Sequence, residues 1–148
     1  MPAPFVHRLR VRYGECDPQG WVFNAHYLSF FDVAITELWR EAIGPYAGMA
    51  EQGVDMVVAE ATLRFRSPAR FDELIDVALE IARLGTTAMT TRFGITNAGG
   101  TVVEGEVRHV FIAIDGGAKV PIPRSIRGGL EPYVAEQPSA SPAEPVDH

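Results

Sequence analysis

One aspartate in a turn before an apolar helix is the group in this sequence best suited to chemistry. Asp17 lies in the stretch 13–27, which reads YGECDPQGWVFNAHY, and Pro18 and Gly20 follow it at turn spacing. A carboxylate there is expected to be partly desolvated and to face the free N–H groups of a helix start. Because a carboxylate can act as base or nucleophile and such N–H groups stabilise an oxyanion, the pair is suited to acyl transfer.

The same stretch also allows a purely structural interpretation. Asp-Pro-x-Gly sequences often form turns in which the Asp side chain caps backbone N–H groups. Cys16 is expected to be a poor nucleophile, because Glu15 and Asp17 raise the pKa of its thiol and suppress the thiolate. His26 could orient a carboxylate or be an ordinary half-buried side chain. His109 lies on an apolar strand face and is predicted to be a core histidine with its hydrogen bonds satisfied.

The composition sets the class of protein. A chain of 148 residues with 47% hydrophobic and 22% charged residues suits one globular domain. It has no run long enough to span a membrane, and its start lacks a signal-peptide pattern. The single cysteine excludes an internal disulfide and fits a reducing cytosol, so we expect a cytoplasmic protein. The net charge of −6 argues against nucleic-acid binding, and the four scattered histidines do not predict a metal site.

The hydrophobic pattern predicts a strand, one long helix and then four strands. The helix is expected at 24–42 and, with apolar residues on two stripes, should be mostly buried. The predicted strands are 5–13, 55–66, 72–84, 86–96 and 101–114, with a short edge piece at 119–122. Residues 1–130 form the predicted domain, and the Pro-rich segment 131–148 is predicted to be a disordered tail.

These elements are best satisfied by an antiparallel sheet wrapped around the helix, an α+β fold. One helix covers only part of a five-stranded sheet. The uncovered edge and face are therefore expected to pair with a second copy, which predicts a homodimer.

The order of elements and the opening motif resemble the hotdog-fold acyl-CoA thioesterases, specifically the 4-hydroxybenzoyl-CoA thioesterase family. The matching residues are Tyr13, Cys16, Asp17, Pro18, Gly20, Val22, Tyr27 and Asp32, with weaker matches at 68–73, 109–111 and 120–123. The similarity runs over about residues 7–126. It implies a hotdog fold, in which five or six antiparallel strands wrap around one long central helix.

The resemblance also implies a reaction and a site. The reaction is hydrolysis of an aromatic acyl-CoA of the 4-hydroxybenzoyl type to the free acid and CoA, with no cofactor, because coenzyme A is part of the substrate. The family's catalytic aspartate falls on Asp17, as general base or nucleophile, and its backbone N–H oxyanion contact falls on Asn24. The implied substrate-binding residues are Gly20, Trp21, Val22, Tyr27, Asp32, Arg83, Thr86 and Thr87. Sites of this family lie at the interface of a homodimer, and a homotetramer is the expected assembly.

Several alternatives stay open at this point. A short- or medium-chain acyl-CoA or an acyl carrier protein thioester is a second substrate class, and a non-catalytic acyl-ligand binder would tolerate loss of Asp17. A hotdog hydratase is disfavoured, because the sequence lacks a His and Asp pattern of the hydratase type. Arg64, Arg66 and Arg70 are either a solvated strand end or a contact for the coenzyme A phosphates. Within 82–87, where aromatic-specific members carry a basic cluster, only Arg83 is charged.

Overall fold

The chain forms one antiparallel sheet with a long helix on one face, described for residues 5–135 by a computed structural model. The strands are β1 (Phe5–Arg10), β2 (Val54–Phe65), β3 (Leu74–Leu84), β4 (Ala88–Asn97) and β5 (Gly100–Ala113), in the spatial order β1-β3-β4-β5-β2. The helices are α1 (His26–Ala42), α2 (Ala47–Glu51) and α3 (Arg124–Leu130), and short 3₁₀ turns lie at Tyr13–Glu15 and Glu131–Tyr133.

Helix α1 supplies one side of the core. Its buried residues are Tyr27, Phe30, Phe31, Ala34, Ile35, Leu38 and Trp39. Phe31 packs against Phe93 of β4, with ring centroids 4.9 Å apart, and Trp39 stacks on Phe111 of β5 at 6.3 Å. Each large side chain buried in this way stabilises the fold by about 1.5–3 kcal/mol through the hydrophobic effect. The predicted α+β architecture, an antiparallel sheet around one long helix, is confirmed.

Strand β2 forms one edge of the sheet and pairs, among the described residues, only with β5. Its middle, residues 57–62, is exposed on both faces, and Val57 and Val58 keep 43% and 48% of their surface accessible. Edge strands of this length are usually covered or charged, because their free N–H and C=O groups invite another strand. This edge is both long and apolar.

The observed elements differ from the predicted ones mainly at their ends. The strand predicted at 5–13 ends at Arg10, because the side chain of Glu15 accepts the N–H of Arg12 at 2.7 Å and closes a turn there. Helix α1 begins at His26 rather than at residue 24. The segment 119–122 makes one isolated bridge, Ile112 to Lys119, instead of a strand. Helices α2 and α3 were not predicted.

The domain extends beyond residue 130. The predicted disordered tail starts at Glu131, but the 3₁₀ turn Glu131–Tyr133 packs on the fold, and the hydroxyl of Tyr133 donates to Glu41 at 2.7 Å. The N–H of Ala135 donates to the carbonyl of Ile81 at 2.8 Å, on a stretch of β3 that β1 does not cover. These two hydrogen bonds hold residues 131–135 against the rest of the fold. The rest of the predicted tail lies outside the described residues.

Among the helices of residues 5–135, none is long and apolar enough to cross a membrane.

Candidate active site

The Asp17 carboxylate is held by one of its two oxygens. Oδ1 accepts the N–H of Gln19 at 2.9 Å and that of Trp21 at 3.2 Å. The turn is closed by the N–H of Gly20, which donates to the carbonyl of Asp17 at 2.9 Å, and it needs the positive φ of +88° that Gly20 adopts. Within the described chain, Oδ2 accepts no hydrogen bond. The structural and the chemical interpretation of Asp17 are therefore compatible.

A second segment, residues 69–71, is hydrogen-bonded to the backbone that follows Asp17. The N–H of Val22 donates to the carbonyl of Ala69 at 2.9 Å, and the N–H of Phe71 donates to the carbonyl of Gly20 at 3.1 Å. The guanidinium of Arg70 lies 4.0 Å from the centre of the Trp21 ring, a cation–π contact. These contacts make a short two-stranded clamp that fixes the Asp17 turn against the start of β3.

The start of α1 leaves backbone donors free beside the turn. The N–H groups of His26 and Tyr27 donate to the carbonyls of Phe23 and Asn24, at 2.9 and 3.3 Å. By contrast, the N–H of Asn24 has no acceptor within the described chain, and Asn24 is exposed. The first turn of α1 carries no acidic residue that would compete for this positive end of the helix. A developing oxyanion could be bound at Asn24.

Cys16 is unsuited to nucleophilic attack, as the sequence predicted. Its thiol lies 3.6 Å from the carbonyl of Arg12. Burial raises the pKa of the Cys16 thiol, and the negative charges of Glu15 and Asp17 raise it further. The thiol therefore stays protonated near neutral pH.

His26 lies beside the turn without touching Asp17 in the described contacts. Its ring meets Phe23 edge to face, with centroids 6.3 Å apart. It borders a surface cavity of about 530 Å³ whose other lining residues are Arg12, Gly14, Glu15 and Ser29. The alternative in which His26 orients the carboxylate gains no support.

The predicted substrate-binding residues near Asp17 fall into two groups. Val22 and Tyr27 are buried, at 6% and 3% exposure, and serve the core. Gly20 and Trp21 are half-buried, and Asp32 lies exposed on α1. Partial desolvation raises the pKa of the Asp32 carboxyl. Gly20, Trp21 and Asp32 can therefore meet a ligand at the surface.

Arg83, Thr86 and Thr87 lie at the opposite end of the sheet. The carbonyls of Thr86 and Thr87 accept the N–H groups of Ile122 and Phe111, each at 2.8 Å, which ties the β3–β4 turn to the chain after β5 and to β5 itself. Strand β3 separates this turn from the clamp at residues 69–71 and spans 11 residues. At the usual rise per residue, the two ends are about 30 Å apart. One chain alone does not bring these residues to Asp17.

Four exposed aromatic rings lie near the Asp17 turn. Tyr13 is 80% exposed and meets Phe71 edge to face at 5.8 Å, and Phe71 is itself 50% exposed. Phe23 and Phe65 keep 51% and 57% of their surface accessible. The signal available in the sequence was weak, since these rings come from three segments that only folding brings together.

The arginines near this end have ordinary partners. Arg66 makes an exposed ion pair with Glu104 at 3.5 Å, while Arg70 stacks on Trp21. Both side chains are exposed.

His109 departs from its prediction. It is 4% exposed and stacks on Phe31 at 6.1 Å, but its Nδ1 has no hydrogen-bond partner. Burial lowers the pKa of His109 to about 4 from the ordinary 6.5. It is a core histidine whose hydrogen bonds are not fully satisfied.

The described residues form one large surface depression away from Asp17 and no metal-binding cluster. A depression of about 660 Å³ lies on the sheet face opposite α1, and Arg64, Arg92, Glu80, Glu104 and Glu106 are among its lining residues. Asp17 does not line it. Across residues 5–135, no three His, Cys, Asp or Glu side chains are grouped so that they could hold a metal ion.

Similarity to known proteins agrees with this arrangement. A family model described as the thioesterase-like superfamily matches residues 11–130. A putative esterase of Aquifex aeolicus is 27% identical over 123 residues, which is 83% of this chain and 94% of the relative. The acyl-CoA thioester hydrolase YbgC of Escherichia coli O157:H7 is 28% identical over 107 residues, covering 72% and 79%.

The fold is also similar to solved structures. A hypothetical protein from Thermus thermophilus is 32% identical, with a TM-score of 0.80, over 86% of this chain and 98% of that one. The family match covers both the Asp17 turn and all the strands from β2 to β5. The chain therefore belongs to the thioesterase-like superfamily and is a thioester hydrolase.

Proposed function

We propose that this thioester hydrolase acts on acyl-CoA, and that its preferred acyl group is aromatic, of the 4-hydroxybenzoyl type. The observation that carries the proposal is that one loop holds both the Asp17 carboxylate, which has one oxygen free, and the N–H of Asn24, which has no acceptor in the described chain. The relative YbgC is named as an acyl-CoA thioester hydrolase, which supports the substrate class.

The proposed reaction breaks the C–S bond of the thioester. Oδ2 of Asp17 attacks the carbonyl carbon to give a mixed anhydride that water hydrolyses, or it takes a proton from a water that attacks. The carbonyl oxygen becomes negative and is stabilised by the N–H of Asn24. Coenzyme A leaves as a thiolate, which needs no strong acid, and the products are the free acid and CoA.

An aromatic acyl group is favoured by the surface around Asp17. Trp21 is half-buried and Phe23 is 51% exposed, so both offer a ring face beside the turn. Asp32 lies on α1, two turns beyond its start, where its carboxyl could accept a hydrogen bond from a ring hydroxyl. A short- or medium-chain acyl group is the second candidate, because the exposed phenylalanines would also pack on an aliphatic chain.

The function is tested by thiol release from a panel of benzoyl-, 4-hydroxybenzoyl-, butyryl- and octanoyl-CoA. Asp17→Asn keeps an oxygen for the two turn N–H groups and loses the base, so kcat should fall about 10²–10⁴-fold with the fold intact. Asp115→Asn, in an exposed turn outside the proposed site, is the matched control and should keep full activity.

Two results would contradict the proposal. If wild type releases no thiol from any of the four compounds, the chain is not an acyl-CoA thioesterase of this range. If Asp17→Asn keeps full activity, Asp17 is not its base or nucleophile. A higher kcat/KM for butyryl- or octanoyl-CoA than for the aroyl compounds would favour the second candidate.

A further inference from the structure

Tyr27 points its hydroxyl into the protein rather than toward a ligand. The residue lies in the first turn of α1 and is 3% exposed. Its Oη accepts the N–H of Ala69 at 3.1 Å, and Ala69 is itself fully buried. A buried N–H that loses such a partner is left unpaired, so this bond has structural consequences.

Ala69 passes this contact on to the Asp17 turn. Its carbonyl accepts the N–H of Val22 at 2.9 Å. The neighbouring N–H, that of Trp21, donates to Oδ1 of Asp17 at 3.2 Å. The Tyr27 hydroxyl is therefore joined to the Asp17 carboxylate by three hydrogen bonds, which run through the backbone of Ala69 and of residues 21–22.

Tyr27 also holds the other half of the site. Its N–H donates to the carbonyl of Asn24 at 3.3 Å, in the turn that leaves the N–H of Asn24 free. One residue thus contacts both the helix start that offers the oxyanion donor and the clamp that carries the carboxylate. The distance between the two reacting groups depends on where Tyr27 holds them.

We propose that Tyr27 is a positioning residue, which sets the separation of the Asp17 carboxylate from the N–H of Asn24. This inference rests on the proposed function. Catalysis by a carboxylate and an oxyanion donor needs both within hydrogen-bond reach of one carbonyl, and a shift of about 1 Å can cost about 10²-fold in rate. Tyr27 acts through the backbone and does not touch the substrate.

The test is Tyr27→Phe, which removes the hydroxyl and keeps the ring contacts with Phe30 and Phe65. Thiol release should show kcat lowered about 10- to 100-fold, with KM changed less than about twofold, because the substrate contacts remain. Tyr133→Phe is the matched control. It also loses one hydroxyl hydrogen bond, to Glu41 at 2.7 Å, but at the opposite end of the sheet, and its kcat should equal that of wild type.

A double-mutant cycle separates positioning from a general structural effect. If Tyr27 acts through Asp17, adding Tyr27→Phe to Asp17→Asn should lower the residual rate no further. Amide hydrogen exchange provides a readout without substrate: the N–H groups of Val22 and Ala69 should lose protection in Tyr27→Phe, and those of β5 should not.

Three outcomes would overturn the inference while wild type remains active and Asp17→Asn keeps only its lowered residual rate. They are an unchanged kcat in Tyr27→Phe, a further loss of equal size in the Asp17→Asn background, or unchanged exchange at Val22 and Ala69. An inactive wild type would instead contradict the proposed function, and the exchange experiment would still report whether Tyr27 holds the clamp.

Discussion

The two oxygens of the Asp17 carboxylate have different surroundings. Oδ1 accepts two backbone N–H groups, while Oδ2 accepts none in the described chain. The turn hydrogen bonds fix the direction of the free oxygen, because they restrict rotation of the side chain. A single aspartate can thus close a turn and present a base.

His109 makes the stability of the fold dependent on pH. The pKa of His109 is about 4 in the folded chain, against 6.5 when solvated. The unfolded chain therefore takes up a proton between pH 6.5 and 4 that the folded chain does not bind. The free energy of unfolding is therefore not reduced by His109 above pH 6.5, and it falls by about 3 kcal/mol as the pH is lowered to 4.

The variant His109→Phe tests this dependence. It keeps the stacking on Phe31 and removes both the titrating group and the unpaired Nδ1. Urea unfolding at pH 7, 6, 5 and 4.5 should show a smaller fall in the free energy of unfolding for the variant than for wild type. An identical fall in both proteins would assign the acid sensitivity to other groups.

At the scale of elements, β4 and β5 pack too closely at Gly105 for any side chain. An added Cβ would lie 2.5 Å from Cε1 of Phe93 and 2.7 Å from the carbonyl of Thr62. Gly105→Ala should lower the free energy of unfolding by about 1–3 kcal/mol, through displacement of the Phe93 ring. Gly94→Ala in β4 meets nothing within 4 Å and is the control, so equal effects of the two changes on thermal unfolding would contradict this explanation.

The long elements were predictable because their patterns repeat. Helix α1 and the four long strands show many turns or alternations of apolar residues, so their existence and type follow from the sequence. Helix α3 was missed, since its seven residues include Gly128 and Gly129, which disfavour a helix. Tertiary packing stabilises this helix instead. Ile126 and Leu130 are fully buried, and a Cβ on Gly129 would lie 2.7 Å from the carbonyl of Ala42.

The candidate site was predictable only where it is local in sequence. Asp17, Gly20 and the helix start occupy one short stretch, and turn chemistry together with the family resemblance identifies them. The supporting segment at Ala69–Phe71 lies about fifty residues further on, and its weak family match over 68–73 gives it no role in the site. Its role follows from hydrogen bonds that exist only after folding.

At the scale of the whole molecule, the two groups of predicted site residues lie at opposite ends of the sheet. Asp17 is beside the start of β3, and Arg83 is at its far end, about 30 Å away. We expect a second copy, paired along the exposed edge of β2 about a two-fold axis, to bring its opposite end toward Asp17. This arrangement is part of the proposed homodimer.

Subunit complementation tests it. Asp17→Asn and Arg83→Ala homodimers should each be impaired, whereas the isolated mixed dimer should regain about half of the wild-type activity, because one of its two sites is then intact. A mixed dimer no more active than its parents would place both residues in the same chain's site. Full activity of Arg83→Ala alone would remove Arg83 from the site.

The cation–π contact of Arg70 with Trp21 gives the protein a fluorescent reporter of its own. The sequence has two tryptophans, and Trp39 is fully buried at 0% exposure, while Trp21 is half-buried beside Asp17. In a Trp39→Phe background, the emission and its quenching by acrylamide come from Trp21 alone. Ligand entry at the Asp17 turn, or displacement of Arg70, can therefore be followed in solution without any label.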